Sequence, residues 1–107
     1  MNYIIQFISD AEQDLYEIYQ YISKHDSPQN AEQLLIKIEE ACKSLTTFPN
    51  CGHIPHEFQI IGHTRFLQFF YKPYRIIYEV SEQNVFVNAI LDGRRELHNL
   101  LHDRLLR

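Results

Sequence analysis

All six arginines of this 107-residue chain lie at or after position 65. A guanidinium binds phosphate or carboxylate at two points and stays charged. Arg65, Arg75, Arg94 and Arg95 are therefore the first candidates for contact with a target. His98 and His102 stand four apart, which puts them on one face if the segment is helical. That spacing suits proton transfer, and it equally suits an ordinary polar helix face. Cys51, His53 and His56 come nearest to a metal set, but the two-plus-two ligand spacing of structural zinc is missing. No metal and no cofactor is expected.

The charge is polarised along the chain. Residues 1–63 carry three lysines against nine acids, and residues 64–107 carry seven basic residues against five acids. The net charge of −4 argues against general nucleic-acid binding, which phosphate neutralisation drives. The length suits one compact domain, residues 1–107. The 45% hydrophobic content is enough for a core. No apolar run reaches membrane-spanning length, and the start "MNYIIQFISD" has no signal-peptide pattern. Two cysteines, Cys42 on an apolar helix stripe and Cys51 in a loop, read as reduced thiols in a cytoplasmic protein with no membrane association.

The candidate residues must be held by regular elements. "YIIQFI" (3–8) is β-branched and aromatic, and predicts a strand. Ser9 followed by Glu12 has capping-box spacing. Ala11, Leu15, Ile18, Tyr19 and Ile22 then mark one apolar face of a helix ending near His25. Ser27 as cap and Pro28 at the first turn announce a second helix, running to about Thr47. Its stripe is Ala31, Leu34, Leu35, Ile38, Ala41, Cys42 and Leu45. The pair should form an antiparallel helical hairpin. Residues 49–63 read as a loop with a short extended piece near Phe58–Ile61. Strands follow at 64–71, 74–80 and 84–91. A short helix within "RRELHNLLHDRLL" closes the chain.

The order β-α-α-β-β-β-α predicts an α+β domain. Its antiparallel meander packs on the helical hairpin, with the first strand at the sheet's edge or in its middle. A turn on Glu82–Gln83 sets Val80 against Val85, Tyr78 against Val87 and Ile76 against Ala89. That face, continued by Tyr74 and Leu91, is apolar throughout and should lie under the helices. Arg75, Ile77, Glu79, Phe86, Asn88 and Ile90 fall on the other face, exposed or half covered. Two readings of Arg75 remain open at this point. One is a cross-strand ion pair with Glu79 or Asp92. The other is a fixed guanidinium that meets Arg94 and Arg95 beyond the Asp92–Gly93 exit from the last strand.

The segments "AEQDLYEIYQYI", "SPQNAEQLLIKIEEACKSLTTFPNCG", "YRIIYEV" and "ILDGRRELHNLLHDRLL" resemble, in this order, the RelE/ParE superfamily of toxins from bacterial type II toxin–antitoxin modules. The long helical hairpin looks more like the ParE-like branch. The resemblance implies a cognate antitoxin partner, a heterotetramer of the two, and growth arrest by poisoning of DNA gyrase. RelE-like members instead cut messenger RNA on the ribosome, with arginines that match Arg75 and Arg95. His98 or His102 would then supply the acid–base work. The paired lysines of that branch are absent here, where Arg65 is the one base on the preceding strand. An inactive toxin homologue is the third alternative.

Overall fold

The structure, a computed structural model, describes residues 2–94 and 98–106, apart from the side chain of His98. Four strands form one mixed sheet in the order β1-β4-β3-β2: β1 Ile4–Phe7, β2 Leu67–Tyr71, β3 Tyr74–Ser81 and β4 Asn84–Asp92. β2, β3 and β4 are the antiparallel meander. β1 adds to the edge of β4 in the parallel sense, Ile4 opposite Asn84 and Phe7 opposite Val87. The long α1 and α2 between β1 and β2 make the crossover that a first strand parallel to β4 allows.

Helix α1 spans Ser9–His25 and α2 spans Pro28–Lys43, followed by a 3-10 turn at Ser44–Thr46. Ser27 caps α2, its Oγ accepting from the Asn30 amide at 3.1 Å. The expected capping box of α1 does not form: Ile8 is the capping residue, without a side-chain bond, and Ser9 is already helical. The loop after α2 holds a short helix, α3, at His56–Gln59, where an extended piece was expected. Pro55, held at φ −54°, leads into that turn in place of a strand. Extension near the loop is instead supplied by His53, which exchanges two main-chain hydrogen bonds with Gln68 of β2. Helix α4 is His98–Leu105.

Ala11, Ile38 and Cys42 of the helical pair close over Tyr74, Ile76, Val87 and Ile90, and Leu45 closes over Tyr78 and Val85. The helices thus cover the face that carries Ile76, Tyr78, Val85 and Val87, and Arg75 points the other way.

One part of the expected hairpin register is corrected. Val80 does pair with Val85, and Tyr78 with Val87, but Ile77 then pairs with Ala89 and Ile76 with Ile90. Asn88 is an additional residue on β4, a β-bulge. One extra residue inverts the alternation beyond it. Ile90 therefore joins the helix side, while Ala89 and Leu91 move to the opposite face. There they form a second core with Ile77, Phe58, Phe66 and Leu101 of α4. The sheet is covered on both sides along this stretch, which makes the environment of Arg75 different from the one alternation alone suggests.

Candidate functional site

Arg75 is buried, 8% exposed, in the middle of β3. Its Nη1 and Nη2 donate to the two carboxylate oxygens of Glu57 at 2.8 and 2.9 Å. Its Nε donates to Oε1 of Gln68 at 2.8 Å. Gln68 reaches it because β2 places Gln68 opposite Ile77, on the same face as Arg75. Glu57 arrives from α3. Hydrogen bonding from Arg75 holds the Glu57 carboxyl below the usual carboxylate range, partly opposed by burial. The cross-strand partners expected for Arg75, Glu79 and Asp92, are engaged elsewhere.

Glu79 accepts from Arg65 at 2.7 Å (Nε) and 3.3 Å (Nη2) and from Nδ2 of Asn88 at 3.3 Å. The Arg65 guanidinium also lies 5.2 Å from the Phe66 ring centre, a cation–π distance. Asp92 binds Arg94: its Oδ1 accepts from the Arg94 amide at 2.9 Å and Nε at 3.0 Å, and its Oδ2 from Nη2 at 2.7 Å. Arg94 remains on the surface, with 73% of its side chain exposed. Gly93 lets this turn cross Arg75 closely, since a Cβ there would stand 3.0 Å from Cγ of Arg75.

The four candidate arginines thus separate by role. Arg75 lies inside, beneath the Asp92–Gly93 turn, with its charge met by Glu57. Arg65 and Arg94 present guanidiniums to solvent, each oriented by one carboxylate. Arg95 and the side chain of His98 lie outside the described residues. His102 is exposed on α4. Among the described residues, no three His, Cys, Asp or Glu side chains gather as a metal site would require.

Two charged residues escaped sequence reading. Arg104 of α4 donates to both oxygens of Asp14 at 2.9 and 3.1 Å, and to the main-chain oxygen of Asn88 at 2.9 Å. Asp14 in turn accepts from the Ile90 amide at 2.9 Å. β1 stops opposite Val87, so this ion pair satisfies main-chain groups of β4 that a longer β1 would have met. Burial raises the Asp14 carboxyl above its usual range, against the pull of Arg104. No local pattern in the sequence joins positions 14 and 104.

The same architecture occurs in a chain of the chromosomal ParDE TA system from P. aeruginosa, at a TM-score of 0.67 and 18% sequence identity over 82% of this chain and 92% of that one. This likeness concerns the fold. No curated protein sequence matches significantly. The family described as "ParE toxin of type II toxin-antitoxin system, parDE" matches residues 5–97, nearly the whole described fold. The chain belongs to this ParE toxin family.

Proposed function

We propose that this chain, acting as a single domain, arrests bacterial growth by poisoning DNA gyrase in the cytoplasm and is neutralised by a cognate antitoxin. Membership of the ParE toxin family across residues 5–97 is the observation that carries this reading. The chemistry at Arg75 favours it over ribosome-dependent RNA cleavage. An arginine whose guanidinium is already bound by Glu57 and Gln68 is poorly placed to stabilise a phosphate in flight. Arg65 and Arg94 are the arginines whose exposed guanidiniums suit target contact, and Arg95 joins them by sequence position.

The decisive experiment adds the purified chain to gyrase and plasmid DNA and follows supercoiling and trapped cleavage complex. Loss of supercoiling with accumulation of cleaved DNA is the expected result, relieved by the cognate antitoxin. Unaffected gyrase together with cleavage of messenger RNA on programmed ribosomes would replace this reading with the RelE-type one. The mass of the complex with the antitoxin tests the heterotetramer.

A further inference from the structure

A cavity of about 360 Å³ lies between the middle of α1, from Asp14 to Tyr21, Tyr74 at the start of β3, and the last residues of β4. It exists because β1 ends opposite Val87, leaving the outer edge of β4 to face a helix instead of a strand. Its walls combine the exposed ring of Tyr21, stacked on one side by His25 at 4.2 Å, the largely buried Tyr74, the aliphatic Ile18, and the carboxylates of Asp14, Glu17 and Asp92. Among the described residues, Arg104 meets Asp14 and Arg94 meets Asp92, while Glu17 receives only a long 3.4 Å bond, from Gln13.

This combination selects the chemistry of a ligand. Tyrosine faces attract a cation and stack on a planar one. A carboxylate held only by one long bond, as Glu17 is, leaves an oxygen to accept from a guanidinium. An aliphatic wall accepts the alkyl stem behind it. Arg94 already binds Asp92 at two points at the rim. The cavity is too small for a helix and large enough for one long side chain. The negative charge of Glu17 agrees with the sign of the whole chain, so a cationic partner would be drawn towards it.

We propose that this cavity receives an arginine side chain of a partner protein, packed against the Tyr21 face that His25 leaves open and bound at Glu17. The identity of that partner as the antitoxin rests on the function proposed above; the chemistry of the cavity does not.

The test titrates the purified full-length chain with Nα-acetyl-arginine amide and, separately, with its citrulline analogue, followed by amide and tyrosine-ring chemical shifts. Saturable shifts at Glu17, Tyr21 and Tyr74 are expected for the arginine probe, with affinity about tenfold weaker for the uncharged analogue, as a charge-assisted bond implies. Glu17→Gln should weaken the arginine probe similarly. Glu17 is exposed, and an unchanged thermal melt verifies that this variant is folded. Equal response to both probes, or no effect of Glu17→Gln, overturns the proposal. Antitoxin in excess should expel the probe. Probe retained in that complex overturns the assignment to a side chain of the antitoxin. Failure of any complex to form sinks the antitoxin reading and the named source, while the arginine titration still decides the chemistry of the cavity.

Discussion

The guanidinium of Arg75 and the carboxylate of Glu57 meet at two points, 2.8 and 2.9 Å apart, beneath the α3 turn. Taking charges out of water is costly, so a buried pair of this kind stands only while both members are present. Removing one leaves the other uncompensated. Arg75→Ala should therefore lower stability by about 3–5 kcal/mol. The partial exposure of Glu57 favours the lower end, because water can reach the stranded carboxylate. Urea denaturation checks this. A loss below about 1 kcal/mol would mean that the pair behaves as a surface contact. Any toxicity assay on Arg75→Ala must be read beside that curve, since an unfolded toxin is also a silent one.

The same pair sets a pH dependence. Glu57 has its carboxyl lowered from 4.5, chiefly by hydrogen bonds from Arg75. A group depressed in the folded state contributes stability that is present above its unfolded pKa and lost as pH falls through the folded one. The loss should thus appear on acidification below about pH 4.5. Asp14 works in the opposite sense: burial raises its carboxyl, so its contribution is lost as pH rises through the folded value. It cannot mimic the acid effect. Urea midpoints measured on the acid limb should fall more steeply for the native chain than for Glu57→Gln. Parallel curves would remove Glu57 as a source of acid sensitivity.

The hairpin shows how far the sequence could be read. Alternation placed Tyr78 against Val87 and turned Arg75 away from the helical pair, because a uniformly apolar face has one place to go. It failed beyond Asn88. A bulge depends on how the two strands twist and on what each face must cover, and Asn88 carries no local mark of it. The apolar Ile77, Ile90 and Leu91 read equally well on either side. Glu57 was invisible as a partner for a different reason. It sits in an irregular loop, and its position follows from α3, not from any periodic pattern. Arg94 is legible in place but not in partner: the sequence marks the Asp92–Gly93 exit from the last strand, and the folded turn brings the Asp92 carboxylate onto Arg94.

Glycine positions give a sharper test of the loop. At Gly52 a Cβ would stand 2.5 Å from the main-chain oxygen of Gln68 and 2.8 Å from the Tyr78 hydroxyl. Neither neighbour is free to yield: the first belongs to the His53–Gln68 bridge, and the second accepts from the Gly52 amide at 3.0 Å. Gly52→Ala should cost about 1–3 kcal/mol, the range for overpacking. Gly62 has open space around it but a φ of +71°, so Gly62→Ala should cost about 1 kcal/mol from the backbone alone. Urea midpoints of the two variants separate steric from conformational loss.

The two thiols should differ in access. Cys42 is buried between α2 and the sheet, and burial pushes its thiol up to about 12. The thiolate is the reactive form, so Cys42 should be inert in the folded chain. Cys51 is exposed. An Ellman titration of the native protein should count one thiol, and of the denatured protein two. Two fast-reacting thiols in the native state would contradict the packing of Cys42 against the sheet.

Arg65 and Arg94 separate target contact from stability in a way that Arg75 cannot. Each guanidinium is on the surface, and each is oriented by one carboxylate, Glu79 or Asp92. Exposed pairs of this kind contribute little, because water and salt screen the charges and two long side chains lose freedom. Arg94→Ala should leave the thermal midpoint unchanged, and Arg65→Ala should cost no more than about 1 kcal/mol. If these groups touch the target, both variants should still bind antitoxin yet relieve growth arrest on induction. The double variant should relieve it most, since two separated contacts add. Charge-preserving Arg94→Lys tests geometry: a lysine keeps the charge but loses the planar fork, so partial relief is expected where two-point contact matters. Growth curves after induction, with soluble expression matched, are the measurement. Full toxicity in the double variant would return both arginines to surface ion pairs and move the search for the target contact to Arg95 and α4.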